Sequence, residues 1–457
     1  MGENKKMNLS EKNILLVGLA KTGVATLKFL NKQNANIIVH DMKSEDSLKE
    51  ILNTLKEFTN INYILGREIT DISNIDLVVV SPGVPLDTPL FNRIRENGIK
   101  IIGDIELAYL FSNTSNIVGI TGTNGKTTTT SLVGEIMKKI NEDTHIVGNI
   151  GNPIMEIIEK TSADTCLVAE LSSFQLESID TFKPTISAVL NLTPDHLNRH
   201  KTMENYRDAK ANIFKNQKDS DITVLNYDDE VVRELSKNTN ANVIFFSRKE
   251  SLENGVCLDS NENIVINKDG NSQVLLHKSE VSLPGSHNLE NIMAAVAIFS
   301  TIDCDFNIVI DTLRTFGGVE HRQEFVKEVD GVKFVNDSKA TNPDSTIKAV
   351  ESYTTPVILI AGGMNKGGDF YDVLDVINNS TVKAMVLLGE TANTIESQAN
   401  ERGFDGLIIK VTSMKDAVAV SKKIAKDGDT VLLSPMCASW DMYPNFEARG
   451  LDFKNNI

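Results

Sequence analysis

The chain of 457 residues carries a formal net charge of −16, with 41% hydrophobic and 24% charged residues. This composition is ordinary for a globular protein, and the length predicts roughly three domains at about 150 residues each. The negative charge argues against sequence-independent binding to nucleic acid or to an anionic membrane, because both need a surplus of lysine and arginine.

The cysteines and the apolar runs of the sequence indicate the cellular compartment in which the protein is expected. The four cysteines are widely spaced and form neither a CxxC pair nor a zinc-binding pattern, which is typical of a reducing cytosol. No apolar run approaches the ~18 residues of a membrane span, and the N-terminus lacks the apolar stretch of a signal peptide. We therefore expect a cytoplasmic protein without a membrane span.

The first block of the chain alternates short apolar runs with a helical pattern at residues 24–34. The runs read "NILLVGLAKTG", "NIIVHD", "IDLVVVSPG" and "IKIIGD". Strands alternating with helices predict a parallel sheet, so residues 1–105 are expected to form a Rossmann-like domain. "GLAKTG" is half of a dinucleotide fingerprint, since Ala20 replaces the middle glycine, and Asp41 falls near the distance of a ribose contact. NAD, another anionic nucleotide and a simple tight turn all remain open.

The second block, residues 106–318, begins with a phosphate-binding pattern. "NIVGITGTNGKTTTTSLVGEIMKKI" predicts a strand, a glycine loop and a helix in succession. Gly125, Lys126 and Thr127 fit the P-loop pattern, although Ile120 occupies its first glycine position. Small residues would let backbone N–H groups wrap a phosphate at the helix N-terminus, and the Thr127 hydroxyl would bind Mg²⁺. The block also predicts a β-rich portion at residues 219–280 and a capped helix in "LPGSHNLENIMAAVAIFS".

Three polar residues of this block follow predicted strands. Glu170 ends the strand in "DTCLVAELSS", and His196 and Lys210 lie downstream in "NLTPDHLNRH" and "YRDAK". The spacing of His196 and His200 would allow both rings on one face of a helix, as in some zinc sites. Because no glutamate follows the first histidine, we favour a phosphate site over zinc.

The third block, residues 319–457, repeats the α/β alternation with strands in "VKFVND", "TPVILIAGG", "VKAMVLLG" and "DTVLLSP". In open parallel sheets, ligands bind beyond the carboxyl ends of the strands. The predicted fold class is therefore α/β with three domains. The first is Rossmann-like, the central one is a P-loop ATPase-like domain with a small β-rich portion, and the C-terminal one is Rossmann-like.

Taken together, the motifs resemble the ATP-dependent Mur ligases of peptidoglycan synthesis. Besides those quoted above, they include "GTNGKTT", "ELSSFQLE", "LPGSHNLEN", "EHRQE", "NDSKATNP" and "LLSPMCASWDMYPNFEARG". The resemblance covers residues 13–453 and implies a reaction in which ATP phosphorylates a substrate carboxylate and an amino acid amine displaces the phosphate. The last two motifs resemble the branch that adds D-glutamate (D-Glu) to UDP-N-acetylmuramoyl-L-alanine (UDP-MurNAc-L-Ala). A role in cell-wall biogenesis, cell shape and cell division follows, and we expect a monomer.

The resemblance also implies roles for particular residues. The implied ATP-binding residues are Gly122, Thr123, Asn124, Gly125, Lys126, Thr127, Thr128, Asn288, Asn291, Arg322 and Asp337. Two Mg²⁺ ions would be held by Thr127, Glu170, His196 and Lys210, with Lys126, Glu170, His196 and Lys210 as catalytic residues. A cationic lysine cannot ligate Mg²⁺. The resemblance implies that Lys210, which lies in the matching "YRDAK", is carbamylated, so that its amine becomes an anionic oxygen ligand. The UDP substrate would contact Thr22, Asp41 and Asn149, and D-Glu would contact Lys339, Thr341, Lys366, Ser439 and Phe446.

Several alternatives stay open from the sequence. A sister ligase that adds another amino acid is disfavoured by "DSKATN", because the diaminopimelate-adding type would carry a "DNPR" motif that is absent. A folylpolyglutamate synthase, a non-catalytic P-loop regulator and a nicotinamide dehydrogenase are the others. A regulator would not need His196, Lys210 and an amino acid pocket.

Overall fold

The computed structural model describes residues 7–58, 60–283, 285–365 and 368–457. These residues form two compact units. The first contains the described residues of Met1–Val281 and His287–Arg314, and the second those of Ser282–Ser286 and Thr315–Ile457. Among the described residues, no helix has the length and apolar character needed to cross a membrane.

The N-terminal part of the first unit is a five-stranded parallel sheet. Its strands are β1 (Asn13–Val17), β2 (Asn36–Asp41), β3 (Ile61–Leu65), β4 (Leu77–Val80) and β5 (Lys100–Gly103). Its helices are α1 (Lys21–Lys32), α2 (Lys49–Asn53), α3 (Pro89–Glu96) and α4 (Asp104–Phe111). The order β3-β2-β1-β4-β5 confirms the Rossmann-like prediction. The predicted first helix is displaced: it begins directly after the glycine turn and ends before Asn34, whose φ of 56° is left-handed.

The central part is a nine-stranded sheet that contains the phosphate-binding pattern. Its strands are β6 (Ile117–Thr121), β7 (Thr144–Gly148), β8 (Cys166–Glu170), β9 (Ile186–Val189), β10 (Ile222–Asn226), β11 (Asn242–Ser247), β12 (Gly255–Leu258), β13 (Asn263–Lys268) and β14 (Asn271–His277). Its helices are α5 (Lys126–Ile140), α6 (Ile154–Ile157), α7 (Ser173–Leu176), α8 (Leu197–His200), α9 (Met203–Ala211), α10 (Glu230–Glu234), α11 (Ser286–Phe299) and α12 (Phe306–Thr315). The sheet order is β14-β13-β12-β11-β10-β9-β6-β8-β7.

Only the last three strands of the central sheet form the predicted hairpins. Strands β12, β13 and β14 pair antiparallel, whereas β10 and β11 continue the parallel sheet. The predicted β-rich portion is thus confirmed, but its hairpins begin at Gly255. In the core of the sheet, β6 lies between β8 and β9, so the carboxyl ends of these three strands meet at one edge.

The two sheets of the first unit are joined by a buried carboxylate and a shared apolar core. Glu106 of α4 is fully buried and accepts hydrogen bonds from the backbone N–H groups of Asp180, Thr181 and Phe182, at 2.8–2.9 Å. Apolar side chains of both parts form one continuous cluster, from Leu9 to Leu235. These contacts explain why the two parts make one compact unit.

The second unit is built on a six-stranded sheet. Its strands are β15 (Glu324–Val329), β16 (Val332–Asn336), β17 (Val357–Ala361), β18 (Val382–Leu387), β19 (Leu407–Lys410) and β20 (Thr430–Leu433). Its helices are α13 (Pro343–Val350), α14 (Tyr371–Asn378), α15 (Ala392–Glu401), α16 (Met414–Ile424) and α17 (Phe446–Asn456). The order is β15-β16-β20-β17-β18-β19, and among the described strands of this sheet β15 and β16 form the one antiparallel pair. The α/β prediction is confirmed here, while domain boundaries at 105 and 318 stay a prediction.

Candidate active site

The phosphate-binding loop connects β6 to α5 and requires glycine at two positions. Gly122 and Gly125 have φ angles of 149° and 80°, which residues with side chains rarely adopt. A Cβ on Gly122 would lie 3.0 Å from Leu190 Cβ, and one on Gly125 would lie 2.1 Å from Asn291 Oδ1. The loop therefore packs closely against neighbouring residues. It ends at the N-terminus of a 15-residue helix, where the helix dipole and the backbone N–H groups favour an anion.

Two lysines meet at the carbonyl oxygen of Gly122. Lys126 Nζ donates to it at 2.9 Å, and Lys210 Nζ donates to it at 2.7 Å. The Lys210 side chain is buried, and its Nζ lies 4.8 Å from the centre of the Tyr206 ring. Burial, and then the charge of Lys126, hold the pKa of Lys210 well below its usual value, against the opposite effect of Asp195 and Glu170. These surroundings therefore favour the neutral form of the Lys210 amine over the charged form.

Glu170 places an anionic oxygen in the same region. The residue ends β8, directly beside β6, and only 1% of its surface is exposed. Its Oε1 accepts a hydrogen bond from Asn149 Nδ2 at 2.8 Å, whereas its Oε2 is buried and has no hydrogen-bond partner among the described residues. A buried carboxylate oxygen without a donor is costly unless a cation binds it. Together with the Thr127 hydroxyl at the start of α5, these oxygens are the ligand type that Mg²⁺ prefers.

The two histidines that could have suggested zinc have different surroundings. His196 is exposed, has a φ of 53°, and its ring centre lies 4.8 Å from that of Phe174. His200 is buried, with Nε2 at 2.9 Å from Ser173 Oγ and Nδ1 at 3.1 Å from Glu177 Oε1. Both nitrogens of His200 are thus engaged within the protein. The structure gives no support to a zinc pair and leaves His196 facing solvent.

Of the two nucleotide residues predicted on α11, Asn291 lies against the loop and Asn288 lies beside Asn291. Asn288 and Asn291 are buried one turn apart, and Asn291 Nδ2 lies 3.4 Å from Asn288 Oδ1. Asn291 approaches Gly125 so closely that a Cβ at Gly125 would clash with its side chain, which places α11 next to the phosphate loop. The first unit therefore brings Lys126, Glu170, Lys210 and both asparagines to the edge formed by β6, β8 and β9.

A cavity of about 200 Å³ contains two of the three residues predicted for the UDP substrate. Thr22 and Asn149 both line it. Asp41 instead uses its carboxylate to accept the backbone N–H groups of Leu19 at 2.8 Å and Lys43 at 2.9 Å, which orders the turn before α1. Ala20, which replaces the middle glycine of the fingerprint, also lines the cavity. The remaining lining residues were not predicted for the UDP substrate; they are Lys21, Ser81, Pro82, Gly83, Gly148, Gly151, Pro153 and Gln175.

In the second unit, Asp337 is buried at the end of β16. Its Oδ2 accepts a hydrogen bond from Ser434 Oγ at 2.8 Å, and its Oδ1 accepts the N–H of Gln323 at 3.2 Å. Burial raises the pKa of Asp337 to about 7, opposed by the Ser434 hydrogen bond and by the charge of Arg322. Asp337 is therefore close to neutral under conditions where an exposed aspartate would be ionised.

Four of the residues predicted for D-Glu lie on two neighbouring loops and α17 of the second unit. Lys339 Nζ is 5.8 Å from the centre of the Phe446 ring, and the N–H of Thr341 donates to Lys339 O. Ser439 is buried, on the loop that follows β20. The fifth residue, Lys366, lies outside the described residues.

Side chains without a predicted role hold these elements in place. Arg449 is buried and donates to Ser338 Oγ at 3.0 Å, to Ser338 O at 2.8 Å and to Cys437 O at 3.0 Å, which ties the loops of Lys339 and Ser439 together. The hydroxyl groups of Tyr206 and Thr123 are hydrogen-bonded at 3.1 Å. Tyr206 could have been found, since it precedes Lys210 by four residues and therefore shares its helix face.

Comparisons with known proteins agree with this arrangement. Residues 12–103 match the Mur ligase MurD-like N-terminal domain, residues 120–299 the Mur ligase middle domain, and residues 321–437 the Mur ligase glutamate ligase domain. The chain is 56% identical over 451 residues to the UDP-N-acetylmuramoylalanine--D-glutamate ligase of Clostridioides difficile, covering 99% of both chains. It is 52% identical over 454 residues to the protein of the same name from Alkaliphilus oremlandii, again covering 99% of both.

Solved structures show the same fold at lower identity. MurF ligase from Thermotoga maritima in complex with ADP has a TM-score of 0.58 at 18% identity, with 100% of this chain and 99% of that chain covered. UDP-N-acetylmuramate-alanine ligase MurC from Thermotoga maritima has a TM-score of 0.56 at 20% identity, with 93% and 95% covered. From its full-length identity to curated relatives and its three domain matches, the chain belongs to the Mur ligase family, with an N-terminal domain of the MurD-like type.

Proposed function

We propose that this chain is an ADP-forming ligase that joins D-Glu to UDP-MurNAc-L-Ala, a step of peptidoglycan precursor synthesis. The observation that carries the proposal is 56% identity, over 99% of both chains, to a relative named for that reaction. The phosphate loop with Lys126 supports the use of ATP. We further propose that the protein acts as a monomer in the cytoplasm.

The reaction needs two displacements. An oxygen of the L-alanyl carboxylate attacks the γ-phosphorus of ATP, the bond to the bridging oxygen breaks, and ADP leaves with an acyl phosphate formed. The amine of D-Glu then attacks the acyl carbon, loses a proton, and inorganic phosphate departs with the electron pair of the C–O bond. Because each step gathers negative charge, the protein contributes chiefly by positioning and by fixed positive charge.

Lys126 and the N-terminus of α5 would supply that charge at the phosphates. Lys126 is the first residue of α5 and already lies along the loop, with Nζ donating to Gly122 O and to Thr123 O at 2.9 and 2.8 Å. Thr127 and Glu170 would hold a Mg²⁺ ion, which when bound neutralises charge on the β- and γ-phosphates. The buried Oε2 of Glu170, for which the described residues offer no hydrogen-bond donor, supports this assignment.

Lys210 would act as a carbamate and hold a second Mg²⁺ with His196. Its neutral amine would attack carbon dioxide, forming an N–C bond and releasing one proton, which turns the neutral amine into an anionic oxygen ligand. Carbon dioxide reacts only with the neutral amine, and burial beside Lys126 favours that form. The low pKa and the burial of Lys210 thus support a carbamate over a plain ammonium group.

The remaining assignments rest on the resemblance and on local geometry. Thr22 and Asn149 would contact the UDP substrate in the cavity that they line, with Asp41 ordering the turn beside it. Lys339, Thr341, Lys366, Ser439 and Phe446 would bind D-Glu, whose two carboxylates require lysines and hydroxyl groups. Nucleotide contacts are assigned to residues 122–128 and to Asn288, Asn291, Arg322 and Asp337.

The test is release of phosphate from ATP with UDP-MurNAc-L-Ala across a panel of amino acids. The panel contains D-Glu, L-Glu, L-Lys and meso-diaminopimelate, and product mass is recorded for each. We expect ADP and phosphate to form only when both UDP-MurNAc-L-Ala and D-Glu are present. A better rate with L-Lys or meso-diaminopimelate would show a sister ligase, and turnover without any amino acid would show a different ATPase.

A further inference from the structure

The phosphate loop is paired along its length with the segment that follows β9. Within the sheet, β6 and β9 run parallel from Val118 to Thr121. Beyond the strand ends the pairing continues, because the N–H of Leu190 donates to Thr121 O at 3.0 Å and the N–H of Thr123 donates to Asn191 O at 2.9 Å. Backbone hydrogen bonds between the loop and the segment after β9 thus continue beyond the ends of the two strands.

The side chain of Asn191 extends this pairing by one further residue. Its Oδ1 accepts the N–H of Asn124 at 2.7 Å, and its Nδ2 donates to Asn124 O at 3.1 Å. A carboxamide offers one acceptor and a donor side by side, as a peptide group does, so it can pair with both backbone groups of one residue. The Asn191 side chain therefore makes the two hydrogen bonds that the backbone of a neighbouring strand would make if β9 continued.

A second contact completes the attachment. The N–H of Thr193 donates to Thr123 Oγ1 at 3.1 Å. The close approach is possible because Gly122 has no side chain: a Cβ there would lie 3.3 Å from the backbone nitrogen of Asn191. Ile120 occupies the first glycine position of the P-loop pattern. It is a buried residue of β6 and pairs with Ala188, so this position belongs to the strand and not to the loop.

We infer that Asn191 is a positioning residue that holds the phosphate loop in its nucleotide-binding conformation. The backbone N–H and C=O of Asn124 are both bonded to the Asn191 side chain, which fixes the backbone at Asn124. Bound phosphates would be met by the N–H groups at the start of α5. Preorganised donors bind without the cost of ordering the loop. The inference rests on the proposed use of ATP at this loop.

The same segment carries His196, five residues further on. Asn191 thus links the phosphate loop to the start of the segment that leads to His196. The backbone N–H of Leu192 is in turn fixed by Asp229 Oδ2 at 2.7 Å. Loss of Asn191 should therefore act on nucleotide binding first, and not on the binding of D-Glu.

The experiment compares Asn191→Ala with Asn216→Ala. The control also removes a carboxamide with two backbone contacts in the same sheet domain, since Asn216 Nδ2 donates to Asp180 O at 2.8 Å and to Phe182 O at 3.0 Å. ADP affinity is measured by calorimetry, the KM of each substrate by phosphate release, and backbone exchange of residues 119–128 by mass spectrometry. We expect about tenfold weaker ADP binding and a similar rise in the KM of ATP for Asn191→Ala, with the KM of D-Glu within about twofold.

Hydrogen exchange distinguishes positioning from general loss of stability. The loop peptide should exchange faster in Asn191→Ala than in the wild type and the Asn216→Ala control. Should the alanine variant fail to fold, Asn191→Asp keeps the shape, loses the Nδ2 donor, and should show the same faster exchange. ADP affinity within twofold of wild type, unchanged loop exchange, or an equal effect in the control would overturn the inference. A wild-type protein that makes no product with D-Glu would instead contradict the proposed function.

Discussion

Lys126 and Lys210 donate to the same carbonyl oxygen, that of Gly122, although they lie on different helices. Two amines so placed, one of them buried, repel each other when both are charged, and the buried one is the easier to neutralise. The carbonyl group of Gly122 thus connects Lys126, which is proposed to stabilise the transferring phosphoryl group, with Lys210, which is proposed to become a carbamate.

Replacement of Lys126 by alanine should abolish turnover. The variant removes the charge that stabilises the transferring phosphoryl group, and loss of such a contact costs at least about 3 kcal/mol in the transition state, more than a hundredfold in rate. Phosphate release under saturating substrates measures the effect. Lys139→Ala is the matched control, because Lys139 lies on the same helix with its Nζ at 2.9 Å from Thr312 Oγ1. A Lys126→Ala rate within tenfold of wild type would remove the loop from the mechanism.

Lys210→Ala should be nearly inactive, and short-chain carboxylates should restore part of its activity. Acetate or propionate would place an anionic oxygen where the carbamate stood, whereas alkylamines would restore only a cation. Phosphate release is followed with each additive from zero to saturating concentration. Lys210→Arg serves as control, since it keeps a cation and cannot form the carbamate. Rescue by amines and not by acids would mean that Lys210 works as an ammonium group.

Asp337 should make the second unit less stable as the pH rises from about 4 to about 7. Unfolded aspartate titrates near 3.9, whereas burial raises the folded pKa to about 7. Between these values the unfolded chain is ionised and the folded chain holds the proton, so stability is fully present below the unfolded pKa and falls by up to roughly 1.4 kcal/mol per pH unit.

Asp337→Asn isolates this effect, because asparagine resembles the protonated carboxyl and does not titrate. Urea unfolding, monitored by circular dichroism at half-unit steps of pH, should show a smaller loss of stability for the variant than for wild type. Parallel pH curves for the two proteins would show that Asp337 has an ordinary pKa in the folded state.

Glu106→Gln should loosen the junction between the two sheets of the first unit. The carboxylate accepts three backbone N–H groups at 2.8–2.9 Å, and hydrogen bonds to a buried charge contribute more than neutral ones. We expect a loss of about 3 kcal/mol in the free energy of unfolding, measured by urea denaturation. Glu96→Gln, an exposed change on α3, is the control and should leave the midpoint unchanged. Equal midpoints for both variants would contradict this role for Glu106.

The sequence determined those features of the protein that depend on neighbours along the chain. The apolar strand, glycine loop and Lys126–Thr127 helix start form one continuous segment, so their pattern alone predicted a phosphate site. Alternation of strands and helices likewise predicted the α/β class. Family motifs in the right order added the predicted roles of Glu170, His196 and Lys210, none of which is distinctive alone.

Only the tertiary structure decided how these residues are held and charged. Lys210 and Gly122 are 88 residues apart, and Asn191 and Asn124 are 67 apart, so no local pattern announces either contact. The low pKa of Lys210 and the raised pKa of Asp337 both follow chiefly from burial, and Glu170 Oε2 is buried with no hydrogen-bond partner in the described part of the chain. Burial depends on how distant segments pack, because desolvation and charge act through space and not along the chain.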